Sequence, residues 1–227
     1  MITLENVSKV YILSQEQKVT AVRDVNLEVA PGEFLLVTGR SGSGKTTLLN
    51  LIAGLTRPTR GRVLWDGVDL WSLTDRQQAR MRSSRLGFVF QFPSLLPGLT
   101  LAENVVLPSA FVSKSDRQGA SEEASRLLST VGLADKLIAY PRQVSAGQQQ
   151  RAVIARALFN HPEVLLADEP TSDLDEKTER EIMDLFQAIH ADTGLTVLMV
   201  SHSTGLVTYG TRHVRLAAGQ ITTEEED

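Results

Sequence analysis

Gly39-Arg40-Ser41-Gly42-Ser43-Gly44-Lys45-Thr46 follows an apolar run, Phe34-Leu35-Leu36-Val37, and precedes a segment with Leu48, Leu49, Leu51 and Ile52 on neighbouring helical turns. A strand feeds a glycine loop that opens a helix, which is the context in which the pattern G-x-x-x-x-G-K-[ST] has a mechanism. The glycines let backbone N–H groups turn inward around a triphosphate, and the helix start adds the positive end of its dipole. Lys45 is placed to reach the β- and γ-phosphates, and the Thr46 hydroxyl to ligate Mg²⁺. The stretch predicts nucleotide binding and leaves open what hydrolysis is used for.

A second constellation lies at Val164-Leu165-Leu166-Ala167-Asp168-Glu169, a buried-strand pattern ending in two adjacent carboxylates. Successive strand residues point to opposite sides, so the two acids are expected to take different roles. Asp168 is expected to hold Mg²⁺ through water, and Glu169 to polarise an attacking water as general base. The plain alternative is a strand that ends in solvated acids. His202 directly follows the apolar run Thr196 to Val200. A neutral imidazole at the carboxyl end of a parallel strand can hydrogen-bond a γ-phosphate oxygen, although a strand-end histidine is equally an ordinary surface residue.

Ser145-Ala146-Gly147-Gln148 fits a capping box, with Ser145 as N-cap, Ala146 at the first helical position and Gln148 reaching back. The helix it opens carries Val153, Ile154, Ala157 and Leu158 on one face, which a well-capped structural helix explains by itself. A capped helix start with a glycine is also a second anion site. One chain rarely needs two triphosphate cradles unless they belong to two subunits that face one another.

The bulk properties restrict the remaining classes. A chain of 227 residues with 42% hydrophobic residues can bury a full core as one α/β domain, with or without a subdomain. The absence of cysteine excludes disulfides and thiolate metal sites. A net charge of -4 and an acidic end, Glu224-Glu225-Glu226-Asp227, do not invite nucleic acid. The basic clusters Arg57 to Arg62 and Arg80 to Arg85 are short, and read as solvated faces rather than a polyanion patch. Met1 to Val7 lacks the basic and apolar regions of a signal peptide, and no apolar run approaches the roughly 18–20 residues that span a bilayer. The expectation is a soluble chain whose membrane work, if any, needs another polypeptide.

Along the chain, Ile2 to Leu13 and Val22 to Val29 alternate as strands, and Val63 to Trp65 with the turn Asp66-Gly67 reads as another short pair. Phe88-Val89-Phe90 reads as a buried strand ending at Gln91. From Pro93 to Pro162 the pattern is mostly helical, including Glu122 to Val131 and Ser145 to Phe159. A helix from about Glu176 to His190 shows Ile182, Leu185, Phe186 and Ile189 at i, i+3, i+4 and i+7, a face that packs on a sheet. Strands and helices in this order indicate a mostly parallel covered sheet with a helical insertion.

The order of Gly39 to Thr46, Gln91, Ser145 to Gln148, Val164 to Glu169, Ser172-Asp173-Leu174-Asp175 and His202 resembles the nucleotide-binding subunit of ATP-binding cassette (ABC) transporters, over nearly the whole chain. The resemblance implies an α/β P-loop NTPase (RecA-like) core, an N-terminal antiparallel β subdomain and an inserted α-helical subdomain. Its boundaries would be 1–91 and 160–227 for the β subdomain and core, and about 92–159 for the helical part. It implies ATP and Mg²⁺ as cofactors, with ATP contacts from Gly39, Arg40, Ser41, Gly42, Ser43, Gly44, Lys45, Thr46 and Thr47. By the same resemblance Tyr11 stacks on adenine, and Thr46, Gln91 and Asp168 ligate Mg²⁺, Gln91 also sensing the permease. Lys45, Glu169 and His202 act in catalysis. Ser145, Gly147, Gln148 and Asp175 belong to the side that meets ATP on an opposite subunit. The implied partners are a second copy in a head-to-tail dimer and an integral membrane permease, with no nucleic acid. The implied location is cytoplasmic, at the inner face of the membrane. Val144-Ser145-Ala146-Gly147-Gln148 departs from the family's Leu-Ser-Gly-Gly-Gln at Ala146, whose added Cβ bears on the phosphate approach.

Asp69 to Leu73, Leu86 to Gln91 and Leu95 to Val105 look like the lipoprotein-release and macrolide-export branch, whose ATPases drive a mechanical stroke in permeases with few spans. Phe92 to Leu101, broken by two prolines and a glycine, is a poor helix or strand and reads either as local packing or as the lip of a groove for a permease helix. Two other classes share the core motifs: a non-transport ATPase of cell division, DNA repair or translation, and a nucleotide-switched regulator without need of Glu169. The coiled coils, zinc modules or tandem cassettes of the non-transport ATPases have no counterpart in this sequence.

Overall fold

The continuous apolar runs and the alternating ones form the two kinds of strand expected of them. A computed structural model describes residues 1–12, 14, 17–111 and 119–222. β1 (Ile2–Ile12), β2 (Lys18–Val29), β3 (Phe34–Thr38), α1 (Lys45–Ile52), β4 (Arg60–Trp65) and β5 (Val68–Asp69) come first. α2 (Asp75–Arg85), β6 (Leu86–Val89), α3 (Leu101–Val106), α4 (Ala120–Thr130) and α5 (Ala146–Leu158) follow. β7 (Val164–Asp168), α6 (Glu176–Thr193), β8 (Thr196–Ser201), β9 (Arg212–Ala217) and β10 (Gln220–Thr222) end the series. Leu13, expected at a strand end, and the acidic run Glu224 to Asp227 lie outside the described residues.

Two compact units divide the chain, residues 1–79 with 196 onward, and residues 80–195. The first holds an antiparallel sheet in the order β2-β1-β4-β5, built on the β1–β2 hairpin. It also holds β3, paired in parallel with β8 on one side and β9 on the other, with β10 antiparallel to β9. All of β3 and β8 is buried, as continuous runs in a covered parallel sheet require. Asp66 and Gly67 turn between β4 and β5 with φ of 48° and 79°, the left-handed pair of a tight hairpin. Trp65 Nε1 donates to the Ile52 carbonyl at 3.0 Å, tying β4 to the end of α1.

In the second unit β6 and β7 pair in parallel from Leu86↔Val164 to Val89↔Ala167. Gly87 is required there because a Cβ would overlap the Ala157 carbonyl oxygen of α5. Leu101, Val105, Ala124, Leu127, Leu128, Val153 and Ile154 from α3, α4 and α5 form the buried helical core. The capping box expected at α5 is present, Ser145 Oγ accepting from Gln148 N and Gln148 Oε1 from Ser145 N. A second one, Thr100 with Glu103, starts α3. The segment between β6 and α3 is neither helix nor strand, as its prolines predict, and fully buried Asn104 holds it by donating to the carbonyls of Leu96, Leu99 and Thr100.

Several expectations shift. Phe90 was expected in a buried strand, but the ladder ends at Val89↔Ala167 and Phe90 is 43% exposed. α6 runs past His190 to Thr193, where Gly194 at φ 66° stops it, and Met183 rather than half-buried Leu185 completes its core face. In α5 the buried face includes Ala152 and Ala155, while Ala157 and Leu158 are half-buried. α2 carries the second basic cluster, and Arg85 Nε pairs with Glu163 Oε1 at 2.9 Å, which accords with a solvated structural face.

Candidate functional site

The first unit builds a phosphate cradle from β3, the loop Gly39 to Gly44 and α1. Gly44, the helix N-cap, has φ of 105°, and a Cβ on it would overlap the Ala21 carbonyl oxygen. A Cβ on Gly39 would overlap the Leu216 carbonyl oxygen. Both glycines are therefore fixed by the close approach of β2 and β9. The Lys45 ammonium, buried at 4% exposure, donates to the carbonyls of Gly39 (2.7 Å) and Arg40 (3.2 Å). A buried cation beside a glycine loop is the counterpart of an anion. Ser43 Oγ is buried without a hydrogen-bond partner among the described residues, and α1 starts with no capping side chain and no acid in its first turn. An orphaned hydroxyl, a buried ammonium and an uncapped helix start fit a polyphosphate.

The loop is braced from behind. Gly219, in the turn between β9 and β10 at φ 81°, donates its N–H to the Ser43 carbonyl at 3.0 Å, and its own carbonyl accepts from Arg23 N at 2.8 Å. Sequence reading missed this support, since only the short turn Ala218-Gly219 signals it. His202 follows β8, whose Ser201 pairs with Thr38 and accepts from Gly39 N at 3.3 Å, so His202 and the loop leave the sheet side by side. Arg40, Ser41 and Thr46 are exposed, and Thr47 is half-buried. Tyr11 stands half-buried on β1 with the Lys9 ammonium 5.0 Å from its ring centroid.

The second unit carries the carboxylates. Asp168, at 8% exposure, is the last residue of β7. The alternation argument does not reach Glu169, because the strand has ended and Glu169 takes the left-handed φ of 45°. The two acids are parted by a backbone turn, with Glu169 in the left-handed region that Asn6, Asp24, Asp66, His161 and Ala218 also take. Val89 is level with Ala167, so Gln91 and Glu169 stand equally far beyond the last rung of the β6–β7 ladder.

The same unit joins Ser145 to Gln148 with Asp175. Asp175 caps α6, its Oδ1 accepting from the backbone N–H of Lys177 (3.1 Å) and Thr178 (3.0 Å), and its Oδ2 from Thr178 Oγ1 (2.7 Å). These bonds, that from the Thr178 hydroxyl foremost, hold the Asp175 carboxyl below the usual carboxylate range. Thr178 also abuts α5, since a Cβ on buried Gly147 would stand 2.5 Å from Thr178 Cγ2. Gly147 is thus the residue that lets the start of α5 meet the start of α6. Ser145 and Ala146 are exposed. Ser145 Oγ, accepting from Gln148, keeps its own proton to donate.

A pocket of about 350 Å³ lies beside β6 and α5, lined by Phe88, Phe90, Ser94, Leu107, Phe111 and Arg156 among others. Phe88 and Phe90 stack with centroids 4.2 Å apart, and Phe111 is 76% exposed.

The ABC transporter family model matches residues 22–172, and the chain belongs to that family. It is 46% identical over 218 residues to an uncharacterized ABC transporter ATP-binding protein of Thermotoga maritima, covering 96% of this chain and 92% of that protein. It is 43% identical over 208 residues to the lipoprotein-releasing system ATP-binding protein LolD of Geobacter metallireducens, covering 92% of each. A dimeric ATP-binding cassette of Methanocaldococcus jannaschii, solved in a post-hydrolysis state bound to ADP and Pi, superposes with a TM-score of 0.87 at 39% identity, over 100% of this chain and 98% of that one. The fold is that of the P-loop NTPases, and the chain is an ATPase of the cassette family.

Proposed function

We propose that the chain is the ATP-binding subunit of an exporter, in which two copies close head to tail on ATP and drive a membrane permease for a lipoprotein, lipid or drug through a mechanical stroke. The observation that carries this reading is the exposed, capped start of α5 at Ser145, a second anion-binding element on a chain whose P-loop already forms one cradle. Its use is the ATP of a second copy, and the dimeric cassette with ADP and Pi supports that use. The kinship to LolD supports export. No helix among the described residues is long and apolar enough to cross a membrane; the reading assigns the membrane part to a separate permease and this chain to its cytoplasmic face. The pocket beside β6 and α5, with exposed Phe92 and Leu96 on the segment after Gln91, is where that permease docks.

In this reading the P-loop N–H groups and Lys45 hold the β- and γ-phosphates, and Tyr11 stacks on adenine. Glu169 takes a proton from water as the water oxygen attacks the γ-phosphorus; the bond to the β,γ-bridging oxygen breaks, and ADP leaves with that electron pair. His202 and the partner copy's α5 start donate hydrogen bonds to γ-phosphate oxygens. Among the described residues no group of three histidines and carboxylates could hold a metal alone. By the family resemblance Thr46, Gln91 and Asp168 would supply oxygen donors to Mg²⁺, which takes few carboxylates plus substrate phosphates. When bound, Mg²⁺ would offset the phosphate charge.

Purification of the tagged chain from detergent-solubilised membranes should bring an integral membrane protein whose presence changes ATP turnover. Tight, salt-sensitive DNA binding without such a partner would contradict the reading.

A further inference from the structure

The pocket beside β6 and α5 is lined by uncharged residues with one exception, Arg156. Its guanidinium donates to the Ser94 carbonyl and to Ser94 Oγ, each at 2.6 Å, and both acceptors are neutral. Burial holds the group below the usual arginine range, and no neighbouring charge offsets that effect. Among the described residues no carboxylate pairs with it, whereas Arg85, Arg126, Arg151 and Arg180 of the same unit each pair with a glutamate. A cation taken partly out of water without a counter-charge is relieved by a carboxylate from outside, and the planar fork of arginine is the shape that receives one.

The rest of the lining says what carries that carboxylate. Phe88 and Phe90 form a stacked aromatic wall, Leu107 and Phe111 supply further apolar surface, and Phe90 and Phe111 stay 43% and 76% exposed. Apolar anchors around a single half-buried charge suit a short amphipathic helix in a groove, with aliphatic or aromatic residues one turn from one acid. We propose that this pocket takes a helical segment of the membrane partner bearing an aspartate or glutamate, and that Arg156 selects the partner by pairing with that acid. The inference rests on the pocket being the docking site and adds the charge the partner must present.

The probe is a displayed library of helix-forming peptides with randomised surface positions, selected on the full chain. The expected binders share one acidic position flanked by apolar residues three or four places away. Changing that acid to its amide should weaken binding at least tenfold, as should Arg156→Gln in the chain. Because Arg156→Gln also frees Ser94 and could loosen the fold, Arg156→Lys serves as the second variant. It should keep the preference for the acidic peptide over its amide while binding less tightly than the native chain. Binders that are lost on Phe111→Ser but show no acidic preference would overturn the charge assignment and leave docking standing. Binders indifferent to Phe111→Ser, or no binders at all, would overturn both. Self-association of the nucleotide-free chain that disappears in Phe111→Ser would put a second copy in the pocket and overturn the proposal as well.

Discussion

Lys45 and Glu169 are the single residues on which the proposed chemistry turns. Lys45 is already buried and held by the Gly39 and Arg40 carbonyls, so its charge is positioned before any phosphate arrives. Glu169 is held in the left-handed region, and Glu169→Gln should abolish steady-state turnover, read as phosphate release, while leaving ATP binding intact. A variant that still hydrolyses normally would remove Glu169 as the base. Gly147→Ala places a Cβ 2.5 Å from Thr178 Cγ2, an overpacking expected to cost about 1–3 kcal/mol, seen as a lower melting temperature together with slower turnover. Ala146 is exposed at the first helical position, and Ala146→Gly should speed turnover if its Cβ crowds the phosphate; equal rates would remove that idea. These residues were legible because fixed spacings tie them to a strand end, a glycine loop or a cap. Gly219 and Thr178 were not, because their importance comes from what the fold brings against them.

At the scale of elements, the turn between β9 and β10 acts on the P-loop through one hydrogen bond, from Gly219 N to the Ser43 carbonyl. Gly219→Ala would put a Cβ at φ 81° and 2.9 Å from the Ala21 carbonyl oxygen, at a cost of about 1–2 kcal/mol. The expected kinetic signature is a KM for ATP that rises by more than kcat falls, since the loop's resting shape is what is disturbed. The cap of α6 gives a pH test. The Asp175 carboxyl has its folded pKa depressed, so its stabilisation is fully present above the unfolded value and is lost as pH falls through the folded one. The gap in melting temperature between the native chain and Asp175→Asn should be constant near neutrality and close at acid pH, below about 4. The strands and helices with a clear period were read within a few residues of their ends. α2 was not, because Asp75 to Arg85 has no apolar stripe, and β9 and β10 were not, because Arg212-His213-Val214-Arg215 is too polar to announce a strand beside β3.

Across the chain as a whole, the P-loop and the start of α5 are proposed as two anion-binding elements that serve different ATP molecules. Thr178 touches both Asp175 and Gly147, so the α5 start and the α6 cap form one preset surface, the one proposed to meet a second copy. The sequence made the need for two copies legible through the duplication of cradles, and it could not show how firmly the second is preset, since that depends on the contact between two helices. Sedimentation of the Glu169→Gln chain measures this most directly. Two cradles serving different ATP molecules predict a monomer without nucleotide, a dimer with ATP and Mg²⁺, and loss of that dimer when Ser145→Arg is added. A chain that stays monomeric at saturating ATP, or a dimer indifferent to Ser145→Arg, would contradict that arrangement.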